Sequence, residues 1–233
     1  MIYYRMGADR WVLTTQTDHA FFSGEVLSLW REDGLPQHPR RGDLLFAARE
    51  HDNGWREADA APRVRPDDGL PHDFLSIPEE LRFEIWRRGV ERFATERPYA
   101  ALLIAWHARE LHQRHRGEAR WQDFLEGLDS TCDALLATSG ADPRDVARDY
   151  RLLELVDLLS LAVCSRWEQS FALHGYTFRC AEDTLYLEPL PLAGATTFVI
   201  RCRTIQNRRY AGDQDLGVAL AAARWQQRRV RVV

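Results

Sequence analysis

Four residues of this chain have the types and the order of a metal site: His19, the adjacent pair His51-Asp52, and Asp157. Two imidazoles and two carboxylates suit a borderline or hard divalent ion such as Zn, Mn, Fe, Ni or Mg. His51 and Asp52 lie in AAREHDNGWREAD, a stretch of helical character. Neighbours on a helix are about 100° apart, so these two side chains flank one point. Asp157 interrupts the apolar run RLLELVDLLSLAVC. A carboxylate buried there without a partner is costly or is forced neutral. A metal ion or one of the many arginines would remove that cost. His72-Asp73 repeats the dipeptide in a proline-rich loop, without such a setting.

The elements that must position these residues follow from periodicity. IYYRMGADRWVLTT predicts two short strands around a Gly-Ala-Asp turn. TDHAFFSGEVLSLWRE predicts a helix capped by Thr17 or Asp18, and Asp43 is placed to cap a second, LLFAAREHDNGWREADA. Residues 61–78 carry four prolines and form a long loop, with His72 or Phe74 placed to reach over the site. Helices are expected at about 78–96, 98–115, 118–138 and 143–173, the last with a break near Arg148 and a stop at Gly175. YTFRC, TLYLEPL and TTFVIRCRT then predict strands, GDQDLGVALAAARWQQ a short helix, and RRVRVV a closing strand on a sheet edge. The expected fold is mainly α, a helical bundle with a small antiparallel sheet joining the N-terminal hairpin to the C-terminal strands. It forms one domain, 1–233, with a helical core at about 16–175 and a strand-rich annex at 1–15 and 176–233.

Composition removes several chemistries. None of the 31 cationic residues is a lysine, which excludes Schiff-base catalysis and a lysine-bearing phosphate loop. A net charge of −4 and the lack of an aromatic-plus-basic stripe argue against a nucleic-acid partner. Four cysteines without a C-x-x-C pair read as buried, reduced thiols of a cytoplasmic protein. The N-terminus lacks the pattern of a signal peptide, and no window approaches the roughly 18 apolar residues of a membrane span.

The order H…HD…D, each member on its own helix, resembles the HD-domain superfamily of metal-dependent phosphohydrolases. More closely, QTDHAFFSGEVLSLW, HDNGW and YAALLIAWH in this order resemble an uncharacterised bacterial domain-of-unknown-function family. The HD resemblance, over roughly residues 16–165, implies a divalent ion held by His19, His51, Asp52 and Asp157, with Asp52 and His107 as catalytic residues. It implies hydrolysis of a small phosphorylated compound, a phosphate mono- or diester, with nucleotides among the candidates. A di-iron oxygenase and a metal-binding regulatory module without turnover are the alternatives. Whether one ion or two is bound turns on the histidines after the HD pair. His107 and His112 lie about 140° apart on a helix, and His107 and His115 about 12 Å apart along it, so only His107 is taken into the site. Asp59 is a candidate to orient a ligating histidine, Gln16 to touch substrate or cap a helix, and His112 and His115 are expected at the surface.

Overall fold

The computed structural model describes residues 1–233. Gly7, at a φ of 67°, lets β1 (Ile2–Met6) fold back on β2 (Arg10–Thr14). Thr15, not Thr17 or Asp18, caps α1 (Gln16–Ser28), accepting the Asp18 N–H at 3.0 Å. The next helix, α2 (Arg41–Glu50), begins at Arg41, so Asp43 lies in its first turn and does not cap it.

The expected continuous helix over HDNGW is broken. After α2 the chain makes a 3₁₀ turn at Asn53–Trp55 and restarts as α3 (Arg56–Ala60). The break has a cause in packing against α4 (Glu79–Glu91). A Cβ on Gly54 would lie 2.0 Å from the Ile85 carbonyl oxygen, so only glycine fits there. Asn53 Nδ2 donates to the Glu50 carbonyl at 2.8 Å and to the Gly89 carbonyl at 2.9 Å, and Arg92 donates back to Asn53 O and Oδ1. HDNGW is thus a docking turn, with the histidine and aspartate just ahead of the dock.

Pro98 starts α5 (Pro98–His112), in which Ala100 to Ala105 are all fully buried, making it the central helix. The bundle continues with α6 (Ala119–Ser139), which ends on left-handed Gly140, and α7 (Pro143–Ser165), capped by Asp142. No break occurs near Arg148. Instead α7 ends early: Arg166 turns left-handed at a φ of 52°, and residues predicted as helix become β3 (Ser170–Leu173).

The sheet departs most from expectation. β4 (Tyr176–Ala181), β5 (Thr184–Glu188), β6 (Thr196–Gln206) and β7 (Trp225–Val232) join the others in one seven-stranded sheet, with α8 (Asp213–Ala222) between the last two in sequence. The order is β1-β2-β6-β7-β5-β4-β3, all antiparallel except β5 with β7, and the sheet curls into a half-barrel. The fold is therefore α+β with a large mixed sheet, not an HD-like bundle with a small antiparallel annex. The expected joining of the two chain ends does occur, through β2 on β6. β7 lies inside the sheet, not on its edge. Arg228 hides that in the sequence: it occupies a buried position, donating to Asp183 and the Val163 carbonyl, while Arg229 and Arg231 face solvent. Helices α1 and α7 cover the inner face, where Phe22 meets Phe198 edge-on at 5.6 Å. No helix is long and apolar enough to cross a membrane. All four cysteines are free and buried.

Candidate metal centre

Three helices and the docking turn bring five side chains to one buried point. His19 comes from α1, His51 caps the end of α2, Asp52 follows it, His107 comes from α5 and Asp157 from α7. Asp157, the most exposed of them, is only 6% accessible. The two Nε2 atoms of His19 and His51 are 3.1 Å apart, and Asp157 Oδ1 lies 3.2 Å from each. Asp52 Oδ2 is 3.2 Å from His19 Nε2 and 3.7 Å from His51 Nε2. His107 Nε2 lies 3.7 Å from Asp157 Oδ2. The arginine pairing open to Asp157 in the sequence is not made; the side chains around its carboxylate are these three histidines.

Neighbouring groups fix which ring nitrogens carry protons. His51 Nδ1 is 2.9 Å from the Ala48 carbonyl, which only accepts, so Nδ1 carries the hydrogen. Ser160 donates its hydroxyl hydrogen to the His19 carbonyl at 2.9 Å and accepts from His19 Nδ1 at 2.7 Å. Both Nε2 atoms therefore present lone pairs to each other, which repel unless a cation lies between them. Two atoms bound to one ion at about 2.1 Å lie roughly 3.0–3.4 Å apart at octahedral to tetrahedral angles. The spacings among His19, His51 and Asp157 fall in that range. His19, His51 and Asp157 offer atoms all within 4.8 Å of one another, and this group could hold a metal ion. Asp52 stands beside that set and is not part of it.

Without an ion, a proton serves as the cation. Burial pulls His19 down, but hydrogen bonds and charge from Asp157 and Asp52 outweigh it and push the ring up to about 9. Burial also opposes the charged form of His51, and the charge of Asp52 with the Asp157 hydrogen bond raises it. Two N–H groups cannot face each other across 3.1 Å, so the pair holds one extra proton, on His19. Burial would raise Asp157, yet the two imidazoles hold it well below the carboxylate range. His107 takes the opposite course, pushed down to about 4 chiefly by burial.

The centre forms the floor of a cleft of ≈150 Å³. Gln16 lines this cleft with its Oε1 buried and without a partner, so capping is not its role. Phe74 and Leu75 of the proline-rich loop reach the cleft, but His72 bonds Ser76 and lines a neighbouring cavity. Asp59 orients no ligating histidine: it accepts the Gln16 N–H at 2.7 Å and lies 2.9 Å from the Met1 amino group. His115 is partly exposed, stacked on Trp121, whereas His112 is buried, donates to the Ala108 carbonyl and lines the cleft. That placement of His112 overturns the expectation of a surface residue: burial against Trp121 and Phe124 draws the end of α5 inward.

Sequence reasoning missed Ser160, which bonds the His19 ring, and Arg82 and Arg114, which line the cleft. Ser160 alone had a legible signal, three residues after Asp157 on the same face of α7. Among known families, residues 1–207 match one described as a protein of unknown function, DUF3891. No curated protein and no solved structure matches the chain.

Proposed function

The chain belongs to the DUF3891 family, whose function is unknown, and from its own site we propose that it is a metal-dependent hydrolase of a small phosphorylated compound. One observation carries the reading: the Nε2 atoms of two imidazoles, whose Nδ1 atoms already carry hydrogen, meet 3.1 Å apart, a spacing that needs a cation between them, flanked by Asp157 and Asp52 in an open cleft. The order His19, His51-Asp52, Asp157 supports an HD-type ligand set, carried here on a different α+β scaffold. A divalent ion held by His19, His51 and Asp157 would polarise a phosphoryl oxygen and acidify a water.

The chain's own groups supply the rest. Asp52 lies outside the tightest set but within 3.2 Å of His19, so its carboxylate is placed to take a proton from the attacking water. His107, neutral at pH 7, stands 3.7 Å from Asp157 at the edge of the centre, steadied by Tyr150, 3.3 Å from its Nδ1. Ser160 and the Ala48 carbonyl hold the two ligating rings in the metal-binding tautomer.

The test is a phosphatase and phosphodiesterase screen on protein purified without chelator, with Mn, Co, Ni, Zn and Mg added back singly. Hydrolysis should appear with at least one ion, vanish with chelator, and be lost in Asp52→Ala while that variant melts normally. Metal-loaded protein that hydrolyses no phosphoester, or an Asp52→Ala variant of full activity, would refute the assignment.

A further inference from the structure

Two guanidinium groups line the cleft with no carboxylate in ion-pair contact; Glu79 and Asp73 act on Arg82 only from a distance. Arg82 of α4 and Arg114 of the turn after α5 both border it, and neither forms an ion pair. On the same helix, Arg88 and Arg92 share Glu57. Arg82 is held from behind: its Nη2 donates to the Phe74 and Leu75 carbonyls at 3.2 and 2.9 Å. Its Nε is buried with no acceptor in the protein, and so is the indole Nε1 of Trp55, which also lines the cleft. Arg114 donates its Nε to His115 and is otherwise open to solvent. Burial and the charge of Arg114 both press on the Arg82 guanidinium, lowering its pKa. Two cations and two buried orphan donors therefore share one small opening.

Resting on the metal-hydrolase reading, we propose that Arg82 and Arg114 form an anion clamp that selects phosphomonoesters over diesters. The argument is one of charge. The acids lining the cleft are Asp52 and Asp157, whose two charges a divalent ion cancels. His112 adds none, since burial pushes it down to about 4. The two arginines then leave the cleft lining with about +2, partly offset from outside it by Glu79 and Asp73, and a monoester dianion answers that excess better than a diester monoanion. A monoester also has three terminal oxygens, enough to meet the floor of the cleft and both guanidiniums. At ≈150 Å³ the cleft admits a phosphate and the first atoms of its alcohol, below the several hundred Å³ of pockets that enclose a whole drug-sized ligand. The alcohol portion would meet Phe74, Leu75, Leu111 and Leu161 at the walls, which suits an apolar or aromatic group.

Inorganic phosphate is the probe, its binding measured by calorimetry on metal-loaded and metal-stripped protein, with metal content recorded for each variant. Arg114→Gln, at an exposed position, should weaken phosphate binding about tenfold, as loss of one charge-assisted contact does, and leave metal content unchanged. Arg82→Gln should do the same; because Arg82 also secures the 74–77 loop, Arg82→Lys serves as its folded control and should restore part of the affinity. With 4-nitrophenyl phosphate the Arg114→Gln effect should fall on KM more than kcat, and the preference over bis(4-nitrophenyl) phosphate should drop about tenfold. Unchanged phosphate affinity in Arg114→Gln, or an unchanged preference, overturns the clamp even if metal and hydrolysis are present. If no metal binds but phosphate affinity still depends on both arginines, the anion site stands and the hydrolase reading falls.

Discussion

At His19 and His51 the chemistry depends on which nitrogens hold hydrogen, and Ser160 and the Ala48 carbonyl decide that. A metal ion must then displace the proton that His19 holds up to about pH 9. Between pH 6.5 and 9, loading stripped protein should release about one proton, and apparent affinity should rise with pH before levelling near 9. Calorimetry in buffers of different ionisation enthalpy measures this release. The sign for stability follows from a folded pKa above the free value of 6.5. In stripped protein the His19 proton stabilises the fold fully below 6.5, and that contribution is lost as pH rises through about 9. The melting temperature of stripped protein should fall over that window, while loaded protein stays flatter. Ser160→Ala should weaken metal binding about 10- to 100-fold without unfolding the protein, because it frees the His19 ring to choose the wrong tautomer. At this scale the sequence pointed to the side chains that meet at the centre, since His19, His51-Asp52, His107 and Asp157 are chemically conspicuous among apolar neighbours. It was silent about Ser160, Arg82 and Arg114, whose roles depend on side-chain direction and on the partners they lack.

Between residue and fold stands the docking turn. The helical periodicity that predicts α1, α4, α5, α6 and most of α7 also runs straight through HDNGW, where the real chain turns. Periodicity records which face is apolar; it does not register a backbone-to-backbone contact that needs a missing Cβ. Gly54 marks that contact, and Gly89 faces it from α4. Gly54→Ala should cost roughly 1–3 kcal/mol by pushing α4 away, read as a lower urea midpoint. It should also reduce metal content, because His51 and Asp52 sit directly before the dock. A stable Gly54→Ala protein with full metal content would show that HDNGW is not what aims the pair. The early end of α7 escaped notice for a related reason: Arg166 adopts a left-handed conformation that its residue type does not announce.

Across the whole molecule, the sheet was the least legible part. Each strand of β4 to β6 has its alternating pattern in the sequence, but strand order is a long-range property, and Arg228 disguised an interior strand as a charged edge. The result is a large curled sheet that backs α1 and α7, which Ser23 and Ser160 tie directly to each other beside Asp157 and His19. Around that frame, α2 and α5 bring His51 and His107 inward, so four elements distant in sequence meet within a few ångströms. A metal centre accounts for the meeting of two acceptor nitrogens at 3.1 Å beside two carboxylates. Crystals of metal-loaded protein, measured at wavelengths spanning the absorption edge of the bound ion, test this most directly. The account predicts an anomalous peak about 2.0–2.3 Å from His19 Nε2, His51 Nε2 and Asp157 Oδ1, absent in Asp157→Asn crystals. Anomalous density located elsewhere, or stoichiometric metal retained by Asp157→Asn, would contradict it.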